Sequence, residues 1–502
     1  MVDSPVFDIL VVGGGINGCG IARDAAGRGL KVALVEQGDL ASATSSASSK
    51  LIHGGLRYLE HYEFRLVREA LAEREVLLAN APHIAWPLTF VLPQVESMRP
   101  AWMIRAGLFL YDHLARRDRL PASGAVDLRQ HPAGAPLKVE FTKGFTYADG
   151  WVDDSRLVVL NAVDAHERGA VIRTRTRLVE ARREGGGWQA QVEPAHGGRS
   201  ETIAARILVN AAGPWVDEVR RLRLGRPSNE TSPSRVRLIK GSHIVVGRLY
   251  EGAQAYILQQ PDKRVVFLLP FADRYTLIGT TDVPHDGAPG AVGIGDNEIT
   301  YLCAAASRFL KTPVSPAQIV WSYAGLRPLQ DDESTDPSAV TRDYTLELDA
   351  ADGAAPALSV IGGKITTYRR LAEQAMERLD PWTGRTRAWT ARAPLPGGDI
   401  ARRDFEAFLH GLQARKAWLP PVLARRLARA YGTRVEALLG DARTLADLGQ
   451  DIGQTLTQRE VAYLKQSEFA RTAEDVLWRR TKLGLGADAR MAERVGAALH
   501  RG

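Results

Sequence analysis

The hydrophobic and polar positions at the start of the chain predict a strand, a helix and a second strand. Residues 6–12 read Val-Phe-Asp-Ile-Leu-Val-Val, a nearly continuous apolar run that is typical of a buried parallel strand. A helical pattern follows the glycines at 13–18 and extends to about Arg28, where Gly29 ends it. Residues 30–36 are again apolar and predict the second strand. The three elements form a βαβ unit with a glycine-rich turn after its first strand.

The next part of the chain is predicted to hold one long helix between two irregular segments. Residues 42–49 are small and polar, which does not suit a core element. From 63 to 80 apolar residues recur at helical spacing, and Pro82 ends that helix. Residues 122–136 are rich in Gly, Ala and Pro and predict a loop.

The remaining pattern predicts a large antiparallel sheet followed by a helical region. Short apolar runs separated by turn residues predict its strands at 243–246, 255–259, 264–270 and 275–281. Further strands are predicted near 170–183, 203–210 and 358–362. After Pro394-Leu-Pro-Gly-Gly398 the pattern turns helical and stays helical to the end.

Composition and charge narrow the function only slightly. The chain is 45% hydrophobic and 25% charged, as expected of a folded soluble protein. Its net charge of +7 suits an acidic substrate or an anionic membrane surface, although a high arginine content explains it equally well. The two cysteines, Cys19 and Cys303, lack a CxxC context, so we predict neither a disulfide framework nor a metal site.

The pattern predicts no membrane-spanning segment and no signal peptide. No apolar stretch reaches the roughly 18 residues that a spanning helix needs. Residues 1–8 have neither a basic nor an apolar signal-peptide region. We therefore expect a cytoplasmic protein whose association with a membrane, if any, is peripheral, and we predict no nucleic-acid partner.

The glycine-rich turn has the spacing of a dinucleotide-binding fingerprint. Gly13 allows the tight turn, Gly15 lets the backbone approach a pyrophosphate, and Gly18 lets the helix pack closely on the strand. The helix N-terminus attracts phosphates. Glu36 ends the second strand and can accept hydrogen bonds from a ribose, while its charge disfavours a 2′-phosphate. A glycine-rich turn without a ligand is the alternative.

Two downstream segments favour FAD over NAD as the dinucleotide. Residues 209–215, Val-Asn-Ala-Ala-Gly-Pro-Trp, form an apolar strand that ends in small residues. Residues 361–368, Ile-Gly-Gly-Lys-Ile-Thr-Thr-Tyr, form a second strand-glycine-helix junction. This junction can direct N–H groups and the cation of Lys364 at a flavin ring, where a positive charge stabilises the anionic reduced form.

Several longer stretches, in order along nearly the whole chain, carry a resemblance to a known family. They are residues 13–18, 43–67, 238–246, 278–282, 325–329, 341–344, 362–368 and 478–482. On these stretches the sequence resembles the aerobic FAD-dependent glycerol-3-phosphate dehydrogenases of bacteria, which are D-amino-acid-oxidase-like flavoproteins. The resemblance implies oxidation of sn-glycerol 3-phosphate to dihydroxyacetone phosphate by hydride transfer from C2 to FAD N5. It also implies electron transfer to a membrane quinone, a homodimer and peripheral binding to the cytoplasmic face of the inner membrane.

The pattern and the resemblance together predict three domains, since 502 residues are too many for one compact core. We expect an α/β fold, α+β overall: a Rossmann-type FAD-binding domain, an antiparallel-sheet substrate domain and an all-helical C-terminal domain. The FAD-binding domain is predicted at 1–80, 145–215 and 325–385, the substrate domain at 81–144 and 216–324, and the helical domain at 390–502.

The predicted FAD contacts come from the two glycine junctions and the small polar segment between them. They are Gly13, Gly15, Ile16, Asn17, Gly18, Glu36, Gln37, Ser42, Thr44, Ser45, Ser46, Lys50, Leu51, His53, Gly54, Gly55, Leu178, Ala212, Gly213, Trp215, Gly325, Gly363, Lys364, Ile365 and Thr366. Among them, His53 is expected to pack on the flavin face, because its glycine neighbours allow a close approach.

A phosphorylated alcohol requires cations and a proton acceptor beside the flavin. Arginines bind phosphate through paired N–H bonds, and Tyr58 and Thr280 can bond the hydroxyl groups. The predicted substrate-binding residues are Arg57, Tyr58, Thr280, Arg327 and Arg342, with Lys364 as a further cation.

The proton acceptor is predicted to be His243 or Lys364. A histidine near its usual pKa can take the hydroxyl proton while the hydride leaves C2. A buried structural histidine is the alternative for His243. Arg327 and Tyr58 complete the predicted catalytic set.

Two basic segments are candidates for a membrane-binding surface. Residues 99–117 mix arginines with Trp102 and Phe109, as an interfacial helix does, although a core helix with a cationic outer face has the same pattern. Arg425, Arg426 and Arg429 form a second basic helical face, which a solvated surface also explains.

Three other functions stay open from the sequence. An oxygen-using glycerol-3-phosphate oxidase is the nearest. An amine or amino-acid oxidase on the same scaffold would not need a site for a dianion. A non-catalytic dinucleotide-binding module would keep the unit from Gly13 to Glu36 but would not need Lys364.

Overall fold

The structure, a computed structural model, describes residues 6–95, 100–224, 236–330, 343–350 and 353–501. Side chains within these ranges are described except those of residues 57, 60, 61, 222 and 223. The described residues form two large sheets, helices that cover them, and a mainly helical C-terminal region.

The strands and helices follow one another along the whole chain. The first ten strands are β1 Phe7–Val12, β2 Val32–Val35, β3 Leu51–Ile52, β4 Ala85–Pro93, β5 Gly124–Asp127, β6 Lys143–Val152, β7 Val171–Arg173, β8 Thr176–Glu184, β9 Gly187–Pro194 and β10 Glu201–Asn210. The other ten are β11 Val236–Gly247, β12 Ala255–Gln259, β13 Val265–Phe271, β14 Tyr275–Gly279, β15 Val283–Pro284, β16 Ile319–Gln330, β17 Tyr344–Asp349, β18 Ala357–Gly362, β19 Asp451–Gly453 and β20 Leu456–Thr457. The α-helices are α1 Ile16–Gly27, α2 Phe64–Asn80, α3 Ala101–His113, α4 Asp154–Glu167, α5 Val216–Glu218, α6 Asp296–Ser307, α7 Tyr368–Thr383, α8 Phe405–Arg415, α9 Pro421–Tyr431, α10 Val435–Leu439, α11 Gln458–Ser467 and α12 Met491–Arg501.

Single turns of 3₁₀ or π helix join many of these elements. They lie at Thr44–Ser46, Leu56–His61, Pro132–Gly134, Gly213–Trp215, Val219–Arg223, Pro316–Gln318, Thr390–Arg392, Ala401–Arg403, Gly432–Arg434, Ala446–Leu448, Asp475–Arg480 and Leu483–Gly486.

The first sheet carries the predicted βαβ unit at its centre. Its strand order is β17-β18-β10-β1-β2-β7, and the five strands from β18 to β7 run parallel. β17 adds antiparallel to β18, and the β8–β9 hairpin extends from β10. Helices α1, α4 and α7 pack together over one face and bury the apolar side chains of β1. The prediction of a Rossmann-type unit is confirmed.

The second sheet has ten strands and is almost entirely antiparallel, as predicted. Its strand order is β15-β11-β14-β13-β12-β4-β6-β3, with β16 added to β11 and β5 added to β6. Only β12 and β4 pair in parallel among its described strands. α6 covers one face of the sheet, while α2 and α3 lie over the other. The longest ladder joins β11 to β16, and it places Arg327 opposite Ile239 and Tyr323 opposite His243.

The structure adds strands that the sequence pattern did not predict. The prediction of a loop at 122–136 is wrong in part, because Gly124–Asp127 pair with β6 as an edge strand. β9 was also not predicted, and β19 with β20 forms a small ribbon inside the helical C-terminal region. The longer strands β4, β6 and β16 were not predicted either, and β9 lies between β8 and β10, so the missed strands are not confined to short or edge positions. In such strands, backbone hydrogen bonds to neighbouring strands decide the conformation and side-chain alternation says little.

The two sheets interleave along the chain. The predicted domain limits at 145 and 325 fall inside β6 and β16, both of which belong to the second sheet. The division of the chain into domains stays a prediction.

In the parts of the chain that the structure describes, no helix is both long enough and apolar enough to cross a bilayer.

His83 lies where the first part of the chain meets the C-terminal region. It is fully buried, and a Cβ atom on Gly397 or Gly432 would come within 3.2 Å of its ring. Burial, together with the nearby guanidinium groups of Arg156 and Arg429, lowers the pKa of His83 to about 3. The folded protein therefore keeps this imidazole neutral over a pH range in which the unfolded chain protonates it.

We expect His83 to make folding sensitive to acid. Between pH 6.5 and about 3 the unfolded state binds one more proton at this residue than the folded state does. The free energy of unfolding then falls by about 1.4 kcal/mol for each unit by which the pH decreases in this window. In urea titrations His83→Gln should show a shallower dependence on pH than the parent protein. Equal slopes between pH 4 and 6 would contradict the prediction.

Candidate active site

Two of the three fingerprint glycines, Gly13 and Gly18, are required by close backbone contacts. Gly13 has a φ of +113°, and a Cβ atom there would lie 2.4 Å from the carbonyl oxygen of Ala211. A Cβ atom on Gly18 would lie 1.9 Å from the carbonyl oxygen of Gly13. Gly15 instead faces Ser45, whose Oγ accepts a hydrogen bond from the N–H of Ile16 at 3.0 Å. The start of α1 is thus held against the turn with its N-terminus turned to the cavity described next.

A cavity of about 630 Å³ opens beside this turn. It is bounded by the ends of β1, β2 and β10, by β16 and by part of the C-terminal region. Thirteen of the predicted FAD contacts line it: Gly13, Gly15, Glu36, Gln37, Ser42, Thr44, Ser45, Ser46, Leu178, Ala212, Gly213, Trp215 and Gly325. The other twelve lie outside its lining: Ile16, Asn17, Gly18, Lys50, Leu51, His53, Gly54, Gly55, Gly363, Lys364, Ile365 and Thr366.

Glu36 lines the cavity, and its two carboxylate oxygens are bound by the glycine-rich turn and by the loop after β2. Oε2 accepts the N–H of Gly14 at 2.6 Å, and Oε1 accepts the N–H of Gly38 at 2.7 Å. Burial raises the pKa of Glu36, and these two hydrogen bonds act in the opposite direction. Each oxygen has a further lone pair, so the carboxylate can shape the turn and still accept a ribose hydroxyl.

The two strand-glycine-helix junctions are in direct contact. Asn17 Nδ2 donates to the carbonyl oxygen of Gly362 at 3.1 Å, and a Cβ atom on Gly363 would lie 3.0 Å from the Asn17 amide. Gly362 and Gly363 both have positive φ values, +75° and +98°. The second junction therefore lies beside the first, as a site for one extended dinucleotide requires.

Lys50 holds the polar segment in place from inside the protein. It is fully buried, and its Nζ lies 2.9 Å from Asp154 Oδ2 and donates to the carbonyl oxygen of Ser46 at 3.2 Å. Ser48 Oγ donates to the same Asp154 carboxylate at 2.7 Å. Although Lys50 was predicted to contact FAD, its ammonium group is engaged with Asp154 at the start of α4.

Apart from the thirteen residues that line the cavity, a second group of predicted residues contains His53, Gly54, Gly55, Tyr58 and Lys364. The N–H of His53 donates to Thr366 Oγ1 at 3.2 Å, which joins this segment to the second glycine junction. The N–H of Gly54 donates to Tyr111 Oη at 2.8 Å, and Tyr111 in turn donates to the buried Asp149. These bonds fix the backbone at 53–55.

Lys364 and Tyr58 meet in the same group. The Lys364 Nζ lies 3.8 Å from the centroid of the Tyr58 ring, a distance at which a cation is attracted to the ring face. A Cβ atom on Gly55 would lie 2.2 Å from this ring, so the glycine makes room for it. Two members of the predicted catalytic set are thereby in contact.

His243 lies on β11 in a third group, together with Ser49 and Tyr323. Its Nε2 is hydrogen-bonded to Ser49 Oγ at 2.8 Å, and its ring stacks on Tyr323 with centroids 4.8 Å apart. A Cβ atom on Gly279 would lie 2.1 Å from the imidazole, so only glycine fits there. Burial holds the pKa of His243 well below its usual value, and the charges of Arg327 and Lys50 add to that effect. The imidazole is therefore neutral at physiological pH.

Arg327 lies near this group on β16. It forms an ion pair with Asp282, and its Nη2 donates to Thr280 Oγ1 at 3.1 Å. A Cβ atom on Gly241 would lie 2.5 Å from the same Nη2, which shows how closely the guanidinium lies over β11. Two predicted substrate-binding residues, Arg327 and Thr280, are thus in direct contact.

Residues 43–58 link the cavity to the second group, which contains Tyr58 and Lys364, and to the third group around His243. Ala43–Ala47 line the cavity, while Ser49 contacts His243 and His53 contacts Thr366. None of the four predicted catalytic residues lines the cavity itself. Of the other predicted phosphate ligands, Arg342 lies outside the described residues, and the side chain of Arg57 lies outside the described side chains.

The cavity has a wall that the sequence interpretation missed. Trp321 and Tyr323 of β16 line it, and so do Trp478, Arg479 and Lys482 of the C-terminal region. The stretch 478–482 was noticed as part of the resemblance, yet no local pattern connects it with a site more than four hundred residues earlier in the chain.

The residues around the cavity fit an FAD molecule. The backbone contacts at Gly13 and Gly18 leave no room for side chains, and the N-terminus of α1 supplies N–H groups and a partial positive charge for a diphosphate. Gly213, with a φ of +55°, has no described heavy atom within 4 Å of the position of a Cβ atom. The cavity therefore offers both the space that FAD needs and hydrogen-bond donors for its diphosphate.

The same assignment follows from comparison with known proteins. A family model described as "FAD dependent oxidoreductase" matches residues 8–369, and one described as "C-terminal domain of alpha-glycerophosphate oxidase" matches residues 388–500. The first match covers both sheets. The second begins close to the predicted start of the helical region.

Three similar proteins match over almost their whole length. "Glycerol-3-phosphate dehydrogenase" of Pseudomonas aeruginosa is 56% identical over 98% of this chain and 95% of its own. "D-erythritol 1-phosphate dehydrogenase" of Brucella abortus is 51% identical over 96% of this chain and 95% of its own. The solved glycerol-3-phosphate dehydrogenase of Bacillus halodurans, complexed with FAD, superposes with a TM-score of 0.74 at 26% identity, covering 99% of this chain and 94% of its own. The chain therefore belongs to the FAD-dependent oxidoreductase family, and FAD is its cofactor.

Proposed function

We propose that this protein oxidises sn-glycerol 3-phosphate to dihydroxyacetone phosphate and passes the electrons to a membrane quinone. The observation that carries the proposal is the position of Arg327. It follows directly on Gly325 and Leu326, which line the cavity, and its guanidinium contacts Thr280. A cation with hydrogen-bonding partners thus lies beside the FAD site, where a phosphorylated substrate would need it.

The cations near the site suit a small dianion. Arg327 is bound to Asp282 and Thr280 in this structure, so it would offer paired N–H groups to phosphate oxygens by exchanging these partners for the substrate, and Lys364 brings a second positive charge to Tyr58. Hydrogen bonds to charged groups each contribute about 1.5–3 kcal/mol, so two of them are enough to bind a metabolite at micromolar to millimolar concentration. An amino-acid oxidase has less need of this arrangement, because its substrate carries a single carboxylate.

The proton of the substrate hydroxyl needs an acceptor close to these cations. His243 is neutral and stacked on Tyr323, so one ring nitrogen is available as a base while Nε2 is bonded to Ser49. Lys364 is the alternative acceptor. FAD, when bound, supplies the two-electron acceptor for the hydride that leaves C2.

A second candidate substrate is D-erythritol 1-phosphate. The Brucella abortus relative that bears the name of that activity is nearly as similar to this chain as the Pseudomonas aeruginosa relative is. Both substrates are polyol phosphates and would use the same cations. Their difference lies in the length of the carbon chain.

Anaerobic flavin reduction tests the function and separates the two substrates. Purified protein that contains FAD should lose its absorbance near 450 nm when glycerol 3-phosphate is added, and less readily when D-erythritol 1-phosphate replaces it. A flavin that stays oxidised with both compounds would overturn the proposal. Stoichiometric peroxide in air without quinone would identify an oxidase instead.

Replacement of Arg327 should weaken substrate binding more than it slows the chemistry. In Arg327→Ala the loss of one charge-assisted hydrogen bond should raise the half-saturating glycerol 3-phosphate concentration about 10- to 100-fold. Stopped-flow reduction of the flavin measures both this concentration and the limiting rate. Arg248→Ala, which removes an arginine beyond the end of β11, is the matched control and should change neither. A saturation curve like that of the parent protein would exclude Arg327 as a phosphate ligand.

We infer that α3 is the surface that meets the membrane and its quinone. Its inner face packs through Leu108 and Tyr111, while Trp102 is 69% and Phe109 is 56% exposed. The outer face is therefore apolar, unlike the cationic outer face of a core helix. The helix also packs beside the turn Leu56–His61, which contains Tyr58, so this surface lies next to the predicted site.

The second basic face is less suited to membrane binding. Arg425 and Arg426 bind Glu406 and Glu460, and Arg429 lies over the rings of Trp86 and Phe405. These partners occupy the charges that an anionic surface would need.

The predicted homodimer rests on the resemblance alone, and a mass measurement by light scattering tests it.

Charges placed on the outer face of α3 should prevent vesicle binding. Trp102→Glu combined with Phe109→Glu should lower the partition onto anionic phospholipid vesicles by at least about tenfold, since burying each large apolar side chain contributes about 1.5–3 kcal/mol. Reduction of a water-soluble acceptor should persist. Val139→Glu, at a site that is 83% exposed elsewhere on the surface, is the control. Unchanged cosedimentation of the double variant would place the membrane surface elsewhere.

A further inference from the structure

The C-terminal region reaches into the cofactor cavity through one short segment. Glu474, Trp478, Arg479 and Lys482 all line that cavity. We propose that residues 474–482 form one wall of the FAD site and that Trp478 contacts the bound cofactor directly. The inference concerns the cofactor alone and does not depend on which substrate is oxidised.

A buried ion pair fixes the wall to the first sheet. Asp39 accepts hydrogen bonds from Arg479 Nε at 2.6 Å and from Arg480 Nη2 at 2.8 Å. Asp39 and Arg480 are buried. Removing one partner from such a pair leaves an uncompensated buried charge, so the segment cannot leave its place at low cost. Asp39 lies in the loop after β2 whose neighbours Gln37 and Ser42 line the cavity.

A second ion pair joins the wall to the turn between β7 and β8. Asp475 accepts hydrogen bonds from Arg175 Nη2 at 2.6 Å and from Arg479 Nη2 at 2.7 Å. The carboxylate is also bound by the N–H of Arg471, and these contacts lower the pKa of Asp475. Residues 176–178, which follow Arg175, line the cavity as well. Asp475 therefore holds the wall against the segment that carries the cavity-lining residues 176–178.

Lys482 ties the other end of the wall to α4. Its Nζ donates to Ser155 Oγ at 2.5 Å and to the carbonyl oxygen of Trp478 at 2.8 Å. The second bond fixes the backbone that carries the tryptophan. Asp153 lies 3.7 Å from the same ammonium group. Lys482 thus acts as a positioning residue for Trp478, and its place in the lining also brings a positive charge to the cavity.

Trp478 lines the cavity, and its indole is held in place by its neighbours. It stacks on Trp321 with centroids 4.6 Å apart and an angle of 23° between the rings. A Cβ atom on Gly484 would lie 2.4 Å from its indole, so the ring is held from behind as well. FAD has two flat ring systems, and aromatic rings in offset contact with them contribute both buried area and favourable ring electrostatics. A rigid tryptophan in the lining is suited to such a contact.

FAD binding to the whole protein tests the proposal without any turnover. Apoprotein is prepared by removing the flavin, and the dissociation constant of added FAD is measured by flavin fluorescence. Trp478→Ala should weaken binding about tenfold or more, because a large aromatic ring is lost from the lining of the site. Lys482→Met should weaken it by a smaller factor. Trp418→Ala is the matched control, since Trp418 packs against the C-terminal core and does not line the cavity.

Two further measurements separate a cofactor contact from a loss of folding. Trp478→Phe keeps an aromatic ring and should restore most of the affinity, and Trp478→Leu keeps apolar volume without a ring. The rise in thermal midpoint on adding FAD should shrink in Trp478→Ala and stay unchanged in Trp418→Ala. Parent-like FAD affinity in both Trp478→Ala and Trp478→Leu would overturn the proposal, and so would an equal loss of affinity in Trp418→Ala. Neither result would bear on oxidation of glycerol 3-phosphate, which is measured separately.

Discussion

Replacing His243 with alanine is expected to slow flavin reduction at saturating glycerol 3-phosphate by about 10²–10⁴-fold, the usual contribution of a positioned base. The structure offers a physical reason. The imidazole is neutral, stacked on Tyr323 and bonded through Nε2 to Ser49, so its second nitrogen has a fixed direction. Anaerobic stopped-flow reduction measures this rate directly, before any electron leaves the flavin.

The rate of flavin reduction should fall only at a pH well below the usual pKa of a histidine. Because the pKa of His243 in the folded protein lies well below 6.5, the base stays unprotonated as the pH falls through that value. The reduction rate should therefore stay constant from pH 8 to 6, and the fall in rate that protonation of His243 causes should appear only at lower pH. A fall in rate centred at pH 6.5 would show that the imidazole is more exposed to water than this structure implies.

Two comparisons make the result decisive. His410→Ala removes a histidine from the exposed face of α8 and should leave the rate unchanged. Lys364→Met tests the alternative acceptor. If Lys364→Met abolishes reduction while His243→Ala retains it, Lys364 takes the proton and His243 serves only to pack against Tyr323.

Replacing Gly18 with alanine should abolish FAD binding almost completely. The added Cβ atom would lie 1.9 Å from the carbonyl oxygen of Gly13, so α1 would have to move away from the turn. Such overpacking costs about 1–3 kcal/mol or more, and the shift also removes the N–H groups that face the diphosphate. We expect an affinity at least about 100-fold lower, measured by FAD retention after gel filtration and by titration of the apoprotein.

A second helical glycine provides the control. Gly107 lies within α3, and a Cβ atom there would have no described heavy atom within 4 Å. Gly107→Ala should keep FAD and stabilise the helix by up to about 1 kcal/mol. Full retention of FAD by Gly18→Ala would contradict the role that the packing of α1 assigns to this glycine.

The sequence predicted the parts of the fold that depend on local spacing. Gly13, Gly15 and Gly18 have backbone roles that follow from their distances along the chain, and the long helix predicted at 63–80 begins at Phe64 and ends at Asn80. The edge strand β5 was missed, because it owes its conformation to hydrogen bonds from β6 and not to its own alternation. The long strands β4, β6 and β16 were missed as well, although they belong to the second sheet.

The site was predictable only where it is built from consecutive residues. Glu36 and Gly213 were singled out from the ends of strands, and both line the cavity. Lys50 was expected at the cofactor, yet it pairs with Asp154, a residue 104 positions away that no local pattern connects with it. Trp478 was missed for the same reason, since its place depends on the packing of distant elements. Which predicted residues bind FAD or substrate stays a prediction.

The contact between Asp39 and Arg479 has a consequence for synthesis of the protein. The two residues are 440 positions apart. At about 5–20 residues per second, a ribosome needs about 20–90 s to add that length of chain. The βαβ unit can fold on the ribosome early, but the cavity lacks one side until the last segments emerge. If the C-terminal wall is needed for FAD binding, as proposed above, the cofactor binds only near the end of synthesis. A chain that is cut short before residue 482 would expose the unfinished cavity, with its buried aspartate unpaired, to proteases.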